Sequence, residues 1–348
     1  MTKFKKNYIP YLILCGVLAA SFIISVSSGP VRVPLRSTLE IFLSGIQGSD
    51  QVEAADVYRD IILKIRLPRV LLGMVVGASL SIAGLIFQAL LKNPLADPYT
   101  LGISAGASLG AGLSIFLSHM VSAYFRTLLP VFAFMGGFST IFLVYFLARS
   151  RGGVQILTII LSGVIVSYLF SSGVVLIMSL LGDRSHQIIY WLMGSLSGYH
   201  RYLAYSSAII MVFIFFTFLF YRDLDLMALG DDQAKSLGVN TEVIRLVLFS
   251  STSLITAIAV SMTGTIGFVG LIVPHSMRLL LGPRHKRLIP ASVLAGAAFL
   301  PLSDTLGRVL PGMLFQSGLE IPVGVITSLF GSPFFIFLLI RGKKKYWF

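Results

Sequence analysis

Runs of about twenty apolar residues recur from one end of this sequence to the other, and few folds accommodate them. In hydrocarbon every backbone N–H and C=O must be bonded within the protein, which leaves helices and closed barrels. A barrel would show alternating segments of about ten residues, whereas these runs are continuous. The expected fold class is therefore all-α, a polytopic membrane protein with about ten transmembrane helices. The runs cover residues 8–28, 67–91, 99–118, 128–148, 154–181, 203–221, 243–263, 267–281, 288–305 and 322–341. Composition agrees: 56% of residues are hydrophobic and 12% charged, about half the charged share of a soluble domain.

The net charge of +13 would suggest nucleic acid in a soluble protein. Here the positive-inside bias explains it, and no nucleic-acid partner is expected. With the amino terminus inside, 16 of the 27 Lys and Arg fall on the inner side and 10 on the outer. The expectation is a multi-pass protein of the cell membrane with both termini cytoplasmic. The start, Lys3-Phe-Lys-Lys6 and an apolar run from Ile9 to Val26, has the outline of a signal peptide. The run is long for that role and Ser27-Ser28-Gly29 is a weak cleavage site, so an uncleaved first span is expected. Cys15 lies within it, which excludes a disulfide framework.

The spans hold almost no Asp, Glu, Lys or Arg. Ion-coupled carriers place such groups in the membrane, where they are costly and therefore functional. The driving energy is expected to come from elsewhere, and a secondary transporter or channel acting without an ATPase is the alternative. Small residues are abundant instead. Gly73, Gly77, Ser81 and Gly84 line one face of the second span, and Gly102, Gly106 and Gly110 one face of the third, as close helix packing requires. The fifth span carries Ser162, Ser167, Ser171 and Ser172, which either line a water-filled path or bond back to their own helix. Thr263-Gly-Thr-Ile-Gly-Phe-Val-Gly270, with Pro274 beyond it, predicts an irregular turn packed against other helices. His275 reads as a local hydrogen-bonding residue. Of the outer segments, Val52 to Lys64 predicts a mixed-charge helix, and Tyr190-Trp191 suits a helix at the membrane interface.

Between two apolar runs lies a polar stretch, Tyr221 to Asn240. Asp231 or Asp232 is placed to cap a short helix and Gly238 to end it in the left-handed conformation. Ala234 and Leu237 are expected to share a face, with Gln233 and Lys235 turned away. A helix of two turns is marginal in water, so a partner protein is expected to hold it.

Chemistry is conspicuous by absence. There is no Gly-x-x-x-x-Gly-Lys-Ser/Thr loop, no His-Glu-x-x-His and no Gly-x-Ser-x-Gly. The histidines, 119, 186, 200, 275 and 285, lack metal-ligand spacing. No catalytic, cofactor-binding or metal-binding residue is expected.

A more specific pattern begins at Arg66-Leu-Pro-Arg-Val-Leu-Leu-Gly73. It continues through Gly84-Leu-Ile-Phe-Gln-Ala-Leu-Leu-Lys-Asn-Pro-Leu-Ala-Asp-Pro98, Leu101-Gly-Ile-Ser-Ala-Gly-Ala107 and Trp191-Leu-Met-Gly-Ser-Leu196. Then come Leu229 to Asn240, Gly267-Phe-Val-Gly-Leu-Ile-Val-Pro-His-Ser-Met-Arg278, Glu320-Ile-Pro-Val-Gly324 and Gly331-Ser-Pro-Phe334. Over about residues 60–341 this series resembles the FecCD family, the permease subunits of type II ABC importers for iron-siderophore complexes, haem and cobalamin. The resemblance implies ten spans, a second permease subunit (the same chain or a paralogue), two ATPase subunits that bind the ATP and Mg, and an extracytoplasmic binding protein. It implies that Gly230, Asp231, Asp232, Ala234, Leu237, Gly238 and Val239 form the helix that couples to the ATPase. It implies that Arg66, Arg69 and Arg308 meet glutamates of the binding protein, and that the path runs along the subunit interface, lined by the fifth and tenth spans. The implied function is import of a metal chelate, ferric siderophore foremost, by ATP-driven alternating access.

Overall fold

The computed structural model describes residues 2–31, 33, 34, 36, 38, 40, 41, 53–150, 153, 154, 156–198, 202–315 and 318–342. The predicted helix from Val52 to Lys64 falls partly outside them. Among the described residues the elements are helical, apart from a two-residue antiparallel pair, Arg149–Ser150 with Gly153–Val154. In chain order the helices are α1 (Thr2–Ser27), α2 (Glu53–Asp60), α3 (Leu67–Leu90), α4 (Ile103–Met120), α5 (Leu129–Ala148), α6 (Ile156–Leu181) and α7 (His186–Leu192). They are followed by α8 (Leu203–Leu219), α9 (Tyr221–Met227), α10 (Asp231–Ser236), α11 (Thr241–Thr263), α12 (Val269–Leu281), α13 (His285–Phe315) and α14 (Val323–Gly342).

Each of the ten predicted runs falls on a helix, but the count of spans is not simply ten. Seven described stretches are long and apolar enough to cross a membrane. An eighth is formed if α8 and α9, bent by 54°, are taken together, while Val269–Leu281 and Val323–Leu338 are shorter apolar helices. Some boundaries move as well. The second span joins the predicted mixed-charge helix through a π-helical segment, Ile61–Arg66, so one stretch runs Val57–Leu90. The ninth extends to Phe315 past Pro301 and Pro311. Pro311 has no N–H to give the Gly307 carbonyl, which accepts instead from Ile321 N at 2.9 Å.

The core centres on α3. From Val76 to Gln88 every residue is buried, and along the whole helix only Leu71 is exposed. That burial depends on the predicted row of small residues. Gly77 lies against the Gly296 carbonyl of α13, and Gly84 against that of Gly270 in α12, leaving no room for a Cβ at either. Close backbone approach compensates for the absence of a hydrophobic drive between helices in lipid. Helices α1, α6 and α8 instead carry long rows of exposed Leu, Ile, Val and Phe, as lipid-facing helices do.

Candidate functional site

Three places bear on function: a cavity between the helices, the short polar helix α10, and a cluster of arginines at the far end of α3.

The cavity has a volume of about 990 Å³. Its walls come from α4 (Ser104, Ser108), α6 (Ser171, Met178), the 264–268 turn and α14 (Val325, Ser328). Only Ser171 of the four predicted serines lines it. Ser167 donates to Gly163 O at 2.7 Å and Ser172 to Tyr168 O at 2.9 Å, so these two take the back-bonding alternative, and Ser162 is buried. Hydroxyls from α4 and α14 supply the polar lining that the fifth span was expected to give. The irregular turn forms as predicted, with Gly264 at φ +72 and Phe268 at φ +69. It is packed by polar bonds: Thr263 O accepts from Ser195 N at 2.7 Å, Thr265 Oγ donates to Leu192 O, and Ile266 N donates to the Tyr99 hydroxyl at 3.1 Å. Tyr99 is held in turn by Asp97, whose carboxylate accepts from Tyr99 N at 3.1 Å. His275 differs from expectation. It packs edge-on to the Phe334 ring, and its Nδ1 is buried without a hydrogen-bond partner.

Helix α10 forms where predicted, but its anchoring differs. Gly230, at φ +130, is the N-cap and no side chain caps the helix. The Asp231 carboxylate instead accepts from Lys92 Nζ at 2.9 Å and Arg245 Nη2 at 2.7 Å. Two bonds from cationic donors outweigh the single backbone N–H bond a cap would provide. Partial burial tends to raise the Asp231 pKa, but the bonds from Arg245 and Lys92 prevail and hold it below the usual carboxylate range. The other end matches expectation. Gly238 sits at φ +86, its N–H bonds to Lys235 O, and Val239 N bonds to Ala234 O, both at 3.0 Å, the pattern of a Schellman motif. Ala234 is fully buried within the chain, yet Leu237 is 60% exposed, because it has left the helical conformation and no longer shares that face. The helix is therefore held by its own chain. Leu237, Leu229, Asp232 and Lys235 are left exposed.

The arginines are placed differently from the docking expectation. Arg66, Arg69 and Arg308 are all buried. Arg69 donates through Nε and Nη2 to Asp304 at 2.8–3.2 Å and through Nη1 to Glu320 at 2.8 Å. Arg308 Nε donates to Asp304 Oδ2 at 3.0 Å, while its two terminal nitrogens reach Ser28 O at 2.8 Å and Ser25 O at 3.0 Å. Arg66 donates to Val26 O at 3.0 Å, Ser27 O at 2.7 Å and Val31 O. Ser25, Val26 and Ser27 hold carbonyls that the end of α1 leaves without helical partners, and Val31 lies just beyond it. Arg66 and Arg308 thus cap the carboxyl end of α1 and complement its dipole. Asp304 and the α1 carbonyls were not singled out in the sequence: the i,i+4 spacing of Asp304 and Arg308 was a local signal for that pair, whereas Arg69 and the α1 carbonyls lie far from their partners along the chain.

Comparison with known proteins places this geometry in a family. The model of the FecCD transport family matches residues 17–341. The chain is 41% identical to an uncharacterised ABC transporter permease protein, YvrB, of Bacillus subtilis (strain 168), over 97% of this chain and 95% of the relative. It is 40% identical to the cobalamin import system permease protein BtuC of Halobacterium salinarum, over 79% of this chain and 72% of the relative. Among solved structures it resembles one described as a metal-chelate type ABC transporter in an inward-facing conformation, with TM-score 0.78, 29% identity and coverage of 96% and 99% of the two chains. With a family match that spans nearly every helix described above, the chain belongs to the FecCD transport family.

Proposed function

We propose that the chain is the membrane permease subunit of a binding-protein-dependent ABC importer and moves a metal chelate by ATP-driven alternating access. Ferric siderophores are the leading substrate, with haem and cobalamin in the same class. The observation that carries this reading is the cavity of about 990 Å³, of a size for a chelate, walled by α6 and α14 together with α4. Its lining offers hydroxyls and aliphatic groups, which suits a bulky neutral complex better than a bare ion.

Two ATP-binding subunits, which hold the ATP and Mg, would sit against the exposed side of α10, on the cytoplasmic face of the inner membrane. Exposed Leu229 and Leu237 beside charged Asp232 and Lys235 fit a small docking wedge there. A second permease subunit would close the cavity. The binding protein would approach the opposite end, where the half-exposed Glu320 shares Arg69 and offers the one reachable edge of the arginine cluster. In the arginine cluster the buried charges Arg69, Asp304 and Arg308 are bonded to one another, which leaves those three no free charge with which to carry an ion.

The test is reconstitution in proteoliposomes. Ferrichrome, haem and cyanocobalamin are first screened for retention by the binding protein encoded alongside this chain. The retained chelate should then accumulate against its gradient only when ATPase subunits, binding protein and internal ATP are all present. Uphill accumulation by this chain alone would refute the reading.

A further inference from the structure

Asp231 does more than begin a short helix. Its carboxylate lies between the ends of two membrane helices that are otherwise far apart in sequence. Lys92 follows the last turn of α3, and Arg245 lies one turn into α11. One oxygen takes Lys92 Nζ at 2.9 Å and the other takes Arg245 Nη2 at 2.7 Å. Lys92 sits at φ +49 where α3 ends, with its N–H bonded to Ala89 O at 3.4 Å and Asn93 N to Gln88 O at 3.2 Å, so the helix stop itself sets where its side chain starts.

The covalent chain already ties α10 to α11, through Leu237, Gly238, Val239 and Asn240, whose side chain accepts from Val243 N at 3.2 Å. No such link runs to α3. Lys92 with Asp231 is the ion pair that supplies one, and α3 is the pillar against which α11, α12 and α13 pack. A six-residue helix alone would bend or unwind under load. Fastened by charge at its first residue and by the Ala234–Val239 contact at its last, it can transmit a push.

We infer that Asp231 is a positioning residue that locks α10 to the ends of α3 and α11, so that movement of α10 becomes movement of the helices around the cavity. The inference rests on the proposed coupling of α10 to an ATPase. It adds that the route into the membrane domain includes α3 through Lys92, and not α11 alone. Aspartate suits the task. Its short side chain offers two acceptors to two cations, whereas Asp232, one residue on, points outward and is exposed.

The experiment uses the complete complex of permease, ATPase subunits and binding protein in proteoliposomes. Spin labels are placed at Ser236→Cys on α10 and Leu95→Cys beyond α3, in a Cys15→Ser background. Asp231→Asn and Lys92→Gln are compared with Glu242→Gln, which removes an exposed charge nearby without touching the lock. In the parent and in Glu242→Gln the label distance should stay narrowly distributed with and without ATP and vanadate. In Asp231→Asn and Lys92→Gln it should broaden once nucleotide binds, while the ATPase subunits remain bound. Uptake of the retained probe (ferrichrome, haem or cyanocobalamin) per ATP hydrolysed should fall by about five-fold or more.

A narrow distribution and an unchanged ratio in both lock variants would overturn the inference. So would loss of the ATPase subunits from Asp231→Asn but not from Lys92→Gln, since Asp231 would then be a docking contact. If adding the ATPase subunits leaves the mobility of the single Ser236→Cys label on the parent protein unchanged, it is the coupling role of α10 that fails. Lys92→Gln lies outside α10, so the test survives even if Asp231→Asn does not fold.

Discussion

At one end of α3, Arg69 and Arg308 close on Asp304 with all three side chains at most 9% exposed. At the other end Lys92 and Arg245 close on Asp231 with exposures of 41, 11 and 35%. The two networks stand about 35 Å apart along the helix. Both join one carboxylate to two cations, yet they work under different dielectric conditions. In the buried network each charge depends on the others, because an unpaired ion there costs several kcal/mol. In the other network water replaces Lys92 or Asp231 at little cost, and Arg245, 11% exposed, keeps an acceptor if position 231 stays polar. The first arrangement suits a joint that stays closed, and the second a joint that carries load while its surroundings change.

The widest separation between the two should appear in stability. Asp304→Ala leaves two buried guanidiniums without their carboxylate and should cost about 3–5 kcal/mol. Asp231→Asn should cost no more than about 1 kcal/mol. Thermal melts of the detergent-purified protein, followed by size-exclusion chromatography, check this, and equal melting points would erase the contrast. The same reasoning changes how docking is tested. Reversing Arg69 to glutamate would set three carboxylates together, so the loss of binding-protein docking that it produced would report unfolding and not recognition.

A smaller effect is expected at the end of α10. Gly238→Ala places a side chain at φ +86 and should cost about 1–2 kcal/mol. That cost falls on a local element, so it should appear as faster amide exchange at Leu237 and Val239 with little change in the global melt. A global loss as large as that of Asp304→Ala would show that α10 is part of the core.

How much of this was legible beforehand divides along the same line. The periodic features were readable. Apolar runs predict helices, the Gly77 and Gly84 row predicts close packing, and Gly238 predicts a left-handed stop, because each depends on residues within one or two turns. The partners were not. Arg69 and Asp304 are 235 residues apart and Lys92 and Asp231 are 139 apart, and no spacing rule connects them. The arginines were read as docking residues from the resemblance, and nothing near Arg66 and Arg69 in the sequence shows which groups they bond. In the structure those groups are the carbonyls at the end of α1 and the carboxylates of Asp304 and Glu320. Asp231 or Asp232 was read as a cap because that local role was visible and the two distant cations were not.

Glu320→Gln probes the boundary between the two kinds of network. Glu320 adds one bond to the outer edge of Arg69, and its side chain is 35% exposed. Its loss should cost less than about 1 kcal/mol, and adding salt should shrink the difference further. A penalty near that of Asp304→Ala would extend the buried network to the surface.

The finest distinction is in pH. The carboxyl of Asp231 has its pKa lowered in the folded protein. A lowered carboxyl contributes stability that is complete above the unfolded value, about 3.9, and is lost as pH falls through the folded value. The α10 lock should therefore be indifferent to pH from about 6 to 9, and the label distance between Ser236→Cys and Leu95→Cys should not change across that range. Broadening should begin only below about pH 4, and Asp231→Asn should abolish that acid transition. A transition near neutral pH that survives Asp231→Asn would point to another group, with His285 and Asp225, paired at 2.7 Å beside α9, the first to substitute.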